Sequence, residues 1–195
     1  PRLHERMTLT RILLLNLLLI GGYMLMKAGL ANAVPPERLV ALGGLYHWSA
    51  MVLLAVGWST ALVRCGWSSG SATGDLKALG RPLMTYAVMA SLSVWAWNHV
   101  VAKDATALKV ALQRAQVLEH TENDEAYAAF LADAKLEGTA PEREQFKEQA
   151  LEHIEWMNGP ALTLAMALIV YLAAGSLLTG LAVLVLHKIW NIASL

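Results

Sequence analysis

The feature that most constrains this chain is the separation of its apolar residues from its charges. Charge collects before residue 12, between 64 and 81, and between 103 and 155. Between these clusters lie apolar runs over about 12–30, 39–63 and 82–102, and again from 159 to about 186. A bilayer core needs roughly 20 apolar residues per helical crossing, and each run is near that length. Only 15% of the residues are charged, against about a quarter in soluble domains. The pattern predicts an all-α membrane protein of four transmembrane helices. A soluble helical hairpin, residues 103–158, stands between helices three and four, and residues 159–195 hold the fourth helix and a short tail.

The punctuation agrees. Residues 1–33 resemble a secretory signal, with Arg2, Arg6 and Arg11 before an apolar stretch and small residues at 31–33. The stretch is longer than the usual signal core of about 7–15 residues and carries Lys27, so it is expected to remain as a membrane helix. Lys27 is expected to snorkel to the interface along its apolar stem. Pro35 and Pro36 close the first helix and open the second. The Gly- and Ser-rich stretch 64–81 reads as a surface connection in which Asp75 caps a short turn, and Pro82 suits the first turn of helix three. Cys65, the single cysteine, reads as a small residue at a helix end, since one thiol makes neither an internal disulfide nor a multi-thiolate metal site.

The insert is charged and helical in period. Leu108, Leu112, Ala115 and Leu118 recur at spacings of three and four, as do Tyr127, Phe130, Leu131 and Ala134. Gly138 is placed to end one helix, and Thr139 with Glu142 to cap the next. The expected buried stripe is Leu108, Leu112, Tyr127, Phe130, Phe146 and Ile154.

Threading follows from basic residues, which favour the cytoplasmic side. Arg2, Arg6, Arg11, Arg64, Lys77, Arg81 and Lys188 share one side of a four-span chain, while the insert carries twelve acidic against six basic residues. Both termini are therefore expected in the cytoplasm and the insert outside, in a bacterial inner (plasma) membrane. Trp48, Trp97 and Trp156 fall at the outer interface; Trp58, Trp67 and Trp190 fall at the inner one. A formal net charge of zero implies no nucleic-acid partner. Membrane lipids and other membrane subunits are the expected partners.

Three imidazoles, His47, His99 and His153, are expected near the outer interface, with Tyr23, Lys27, Tyr46 and Asn98 at similar depth. His47 and His99 are the candidate cofactor ligands, since two facing imidazoles hold haem b iron and two or three hold a transition metal. Against this, histidine is amphipathic and sits well at an interface, beside Trp95 in the case of His99. No cofactor and no metal site is the expected state, with haem b or a quinone as the alternative. No catalytic motif is visible. Glu122, Asp124, Glu125 and the glutamates between 142 and 155 read as solvated helix faces. Gly175, Ser176, Thr179 and Gly180 make small-residue faces that let helices approach closely, within the chain or against another subunit.

Two membrane helices, a polar loop leading through "LKALGRP" into a third, a charged helical insert and a fourth helix ending in a basic residue resemble the bacterial membrane family catalogued as domain of unknown function 4199. The resemblance covers about residues 8–190 and is one of architecture. It implies the fold and the membrane location and brings no activity. The expected function is a non-enzymatic integral membrane protein, an accessory or assembly subunit of a larger complex. A haem- or quinone-associated electron-transfer subunit is the alternative. A small transporter is disfavoured, because Asn16 is the one clear polar residue expected at the membrane centre.

Overall fold

The computed structural model of the protein describes residues 9–64, 71–135 and 141–190. Cys65, Trp67, Gly138 and Thr139 lie outside the described residues, so the readings that rest on them are not taken further. Among the described residues seven α-helices follow one another: α1 (Leu9–Leu30), α2 (Pro36–Arg64), α3 (Ala72–Ala96), α4 (Lys103–His120), α5 (Asp124–Asp133), α6 (Arg143–Met157) and α7 (Pro160–Val185). Short π-helical turns, Trp97–Val101 and Leu186–Trp190, extend α3 and α7. No strand occurs among the described residues. The chain divides into two compact units, one of residues 1–93 and 166–195, the other of residues 94–165.

In the first unit the polarity is inside out. The buried residues of α1 are Ile12, Asn16, Tyr23 and Lys27, spaced by four, seven and four, which makes one stripe along the helix. Leu14, Leu18 and Leu25 are exposed. A helix that hides its amide, phenol and ammonium and displays leucine is suited to hydrocarbon rather than water. Lys27 is only 4% exposed. It does not reach outward as the sequence suggested. Its ammonium lies 5.4 Å from the centre of the Tyr23 ring, where the ring face attracts a cation.

Among the described residues three helices are long and apolar enough to cross a membrane: Leu9–Leu30, Arg38–Arg64 and Pro160–Lys188. The expected fourth, α3, is not among them, and its surroundings explain why. Leu79, Leu83, Tyr86, Ala87, Ala90 and Ser91 are all fully buried. This helix meets α1 through Asn16 Nδ2, which donates to the Pro82 carbonyl at 3.2 Å. It meets α2 through His47 and α7 through Gly80 and Thr179. A helix enclosed by neighbours gains from small and hydrogen-bonding residues rather than from leucine.

The helix also begins earlier than expected. Residues 72–81 are helical rather than a connection, so Pro82 is interior. Ser71 caps the start, its Oγ accepting from the Gly74 N–H at 3.1 Å. Asp75 is released from the capping role. Tertiary packing overrides the poor helix propensity of this glycine-bearing segment: Leu79 sits in an apolar cluster with Leu62, Val183 and Leu186.

The second unit has three short helices in place of the expected hairpin. α4 lies against α6, with Asn158 Nδ2 donating to Gln113 Oε1 at 3.0 Å and Arg114 paired with Glu155 at 3.2 Å. The acidic knot at 122–125 is the start of α5. Asn123 Oδ1 accepts from the Ala126 N–H at 2.8 Å, and Arg143 reaches Asp124 at 3.2 Å. Carboxylates in the first turn also suit the helix dipole. Tyr127 is buried, stacks with Phe130 and Phe146, and donates its hydroxyl to the Pro141 carbonyl at 2.8 Å. Phe130 and Phe146 are half-buried in the same aromatic group, and Ile154 is half-buried as well. Leu108 and Leu112 are not: they are 62% and 59% exposed, and α4 has no buried residue. Its half-buried row is Thr106, Val110, Gln113 and Val117, on the opposite side of the helix.

Candidate functional site

Asn16, His47 and Ser91 are the most buried polar residues of the first unit, each at 0% exposure, and His47 is the one with a titratable ring. It sits on α2 eleven residues after Pro36, about 16 Å along the axis at 1.5 Å per residue. Four tyrosines surround it. The Tyr23 ring of α1 is 4.2 Å away between centres, Tyr171 of α7 is at 5.0 Å, and Tyr46 and Tyr86 are each at 5.9 Å. Two glycines make room. A Cβ on Gly43 would stand 3.2 Å from Tyr23, and one on Gly22 would stand 2.6 Å from the Tyr46 hydroxyl. That hydroxyl donates to the Leu19 carbonyl at 2.7 Å.

The imidazole makes one hydrogen bond, Nδ1 to the Tyr86 hydroxyl at 2.9 Å. Its Nε2 is buried and has no partner among the described residues. The tautomer decides what that atom offers. If Tyr86 donates, Nε2 carries an N–H with nothing to accept it. If Nδ1 donates, Nε2 presents a bare lone pair. Either form leaves one nitrogen of the bundle's centre open, and a buried polar atom without a partner is uncommon.

His99 is arranged differently and belongs to the second unit. Its Nε2 is 3.1 Å from Thr163 Oγ1, and the Thr163 hydroxyl itself donates to the Gly159 carbonyl at 3.0 Å. The hydroxyl proton being spent, Nε2–H of His99 is the donor to the oxygen. The ring lies 6.2 Å from that of Trp95. His153 lies 6.1 Å from Trp156 on α6. So His47 falls in one unit and His99 and His153 in the other. Among the described residues no group of three His, Cys, Asp or Glu side chains is placed to hold a metal ion.

The small-residue set of α7 also divides. Gly175 and Thr179 are buried; a Cβ on Gly175 would stand 3.0 Å from Met84 and 3.6 Å from the Leu83 carbonyl oxygen, and Thr179 packs on Gly80. Ser176 and Gly180 are exposed, and nothing lies within 4 Å of a Cβ on Gly180. A groove of about 310 Å³ between α2 and α7 contains Ser59 and Thr60, but both hydroxyls are bonded to their own helix. It therefore presents apolar surface.

Sequence reasoning passed over one pair. Asp75 of α3 and His187 after α7 meet at 2.8 Å, with Asp75 largely buried. They are 112 residues apart, and no local spacing announces the pair. The four-tyrosine setting of His47 was equally hidden, although Tyr23, Lys27 and Tyr46 stood out in the sequence by their depth.

No family model, no characterised protein and no solved structure matches this chain.

Proposed function

We propose that the protein is a non-catalytic subunit of a larger complex in a bacterial inner membrane. In this reading α1, α2, α3 and α7 all cross the bilayer, with both termini in the cytoplasm and residues 103–158 outside. Two features support the threading. α3 packs most of its surface against the three apolar helices and keeps only a narrow outward stripe, with Val88 and Leu92 exposed, so it needs little apolar surface of its own. Arg11, Arg64, Lys77, Arg81 and Lys188 share the proposed cytoplasmic side. This four-span order is the one that the resemblance to the family of unknown function implies.

The observation that carries the subunit reading is the division of α7. One small-residue face is used against α3, whereas Gly180, with Ser176 exposed at the edge of that contact and 4.0 Å from Met84 Sδ, forms an outward notch flanked by exposed Leu177, Leu181 and Leu184. A small notch in an apolar helix surface suits close approach by another membrane helix.

A second reading, a haem- or quinone-associated subunit, is favoured by the open Nε2 of His47. That atom suits an iron or a quinone carbonyl, depending on its tautomer.

One purification tests both readings. The complex, drawn from native membranes in mild detergent, is expected to contain a second polypeptide in fixed ratio. A single chain, or copies of this chain alone, would remove the subunit reading. A Soret band, or an extractable quinone, that is lost in His47→Ala would put the second reading first.

Threading is tested separately, in a Cys65→Ser background, with cysteines at exposed Thr73 and Glu148. An impermeant thiol reagent applied from outside is expected to label position 148 and spare position 73; the reverse pattern would invert the topology.

A further inference from the structure

We infer that the hollow between the π-helical turn Trp97–Val101 and the first three turns of α4 binds an organic phosphate. It measures about 360 Å³, room for a phosphate with a small organic body. Asn98 and His99 of the turn line it, together with Lys103, Thr106, Val110 and Arg114 of α4. All of them lie within the second unit. Residues 103, 107, 110 and 114 are spaced by four, three and four, so they share one face of α4. The lining residues include two cations, Lys103 and Arg114, and no carboxylate. In an insert of twelve acidic against six basic residues, that reverses the local balance of charge.

What the hollow recognises follows from its unspent donors. The Thr106 hydroxyl is spent, donating to the Asn98 carbonyl at 2.8 Å, and His99 gives its Nε2–H to Thr163. The Asn98 side-chain amide and the Lys103 ammonium have no partner among the described residues. Arg114 uses one N–H on Glu155 at 3.2 Å. A guanidinium has five, and a pair as exposed as this one is weakly held. An amide, an ammonium and a guanidinium thus remain, drawn from two elements of the fold. A phosphate meets three donor groups with three oxygens, where a carboxylate has two. Ala107, Val110 and Ala111 give the organic body an apolar floor. The wall that carries Asn98 departs from regular helix. There the Ala102 N–H reaches back five residues, to the Trp97 carbonyl at 2.7 Å, and the Thr106 bond ties the widened turn to α4. Turns of this kind are rare and occur frequently at functional sites.

The hollow is the same whichever way the chain is threaded, so its test is independent of the membrane reading. The full chain in a nonionic detergent is titrated by calorimetry with two probes, glycerol 3-phosphate and the short-chain lipid dihexanoyl phosphatidylglycerol. Saturable one-to-one binding of at least one probe is expected. Lys103→Gln and Asn98→Ala are each expected to weaken it about tenfold or more, as the loss of a hydrogen bond to a charged group implies. Lys103 is exposed, so its variant is expected to melt as the wild type does. Lys109→Gln removes the same charge from the same helix outside the hollow and is expected to leave binding unchanged. A phosphatidylglycerol affinity at least tenfold above that of glycerol 3-phosphate identifies a lipid headgroup as the source, and a smaller difference identifies a soluble phosphate ester. Either result supports the inference. Failure of both probes to saturate overturns it. Equal weakening by Lys109→Gln and Lys103→Gln also overturns it, since the attraction is then diffuse charge. So does succinate binding as tightly as glycerol 3-phosphate, since the hollow then does not select phosphate.

Discussion

Tyr86→Phe is expected to destabilise the protein by about 1–3 kcal/mol, the usual cost of leaving a buried polar atom without its partner. The ring volume is kept and a single oxygen is lost. That oxygen is the one group bonded to the His47 imidazole. With Nε2 already open, the variant leaves both ring nitrogens unsatisfied at the centre of the first unit. For a chain of this size the change corresponds to a fall in melting temperature of roughly 2–4 °C per kcal/mol. His47→Leu alone strands the Tyr86 hydroxyl and is expected to cost a similar amount. The double variant is expected to lose much less than the sum, because an apolar pair replaces a polar one. Thermal unfolding in detergent gives the three values directly. Strictly additive losses would show that the two side chains do not support each other. A double variant that is stable yet unable to restore activity to a null strain would separate what His47 does from how it packs.

Gly175→Leu and Gly180→Leu are expected to fail in opposite ways, although the two residues lie on one helix five positions apart. At Gly175 even a methyl group would press on Met84 at 3.0 Å and approach the Leu83 carbonyl oxygen at 3.6 Å. The thioether end can yield but the backbone of α3 cannot, so a whole leucine side chain must push α7 away from α3. Overpacking of this kind costs typically 1–3 kcal/mol, and more where backbone stands in the way. A melting temperature lowered by about 5–10 °C is expected. At Gly180 the added side chain meets open space, so the isolated protein is expected to melt as the wild type does. Under the proposed function it should nevertheless lose its partner, read as the disappearance of the second polypeptide from the purified complex. Retention of the partner by Gly180→Leu would place the docking surface elsewhere.

The sequence disclosed the helices and hid the contacts among them, for reasons visible at particular residues. α1, α2 and α7 announce themselves because residues facing outward are apolar by necessity, and length and hydropathy follow. α3 is harder to read, since Gly80, Pro82, Ser91 and Ser93 answer to neighbours rather than to solvent. The stretch 72–81 looked like a loop because glycine and charge are loop signals; what makes it helical is the packing of Leu79 against residues from two other helices. In the insert, the leucine period was real but its side was mistaken. A periodic apolar stripe shows that a face exists and not what covers it, and the sequence-based expectation supplied a protein core. His47 was singled out as one of three imidazoles expected at one depth near the outer interface. Its partners come from 24, 39 and 124 positions away. His99 was paired with it on the strength of estimated depth, whereas its bond is to Thr163, 64 residues downstream. Gly175 and Gly180 are identical letters, and only the neighbouring helix distinguishes them.

The stripe on α1 also fixes an order of assembly. Asn16, Tyr23 and Lys27 leave the ribosome before any residue that receives them. Tyr23 and Lys27 find Gly43 and His47 as soon as α2 has entered the membrane beside α1. Asn16 waits for Pro82, another 66 residues of synthesis. Until α3 arrives, the Asn16 amide N–H has no acceptor that lipid could supply. A polypeptide cut short before residue 82 therefore keeps that donor unmatched.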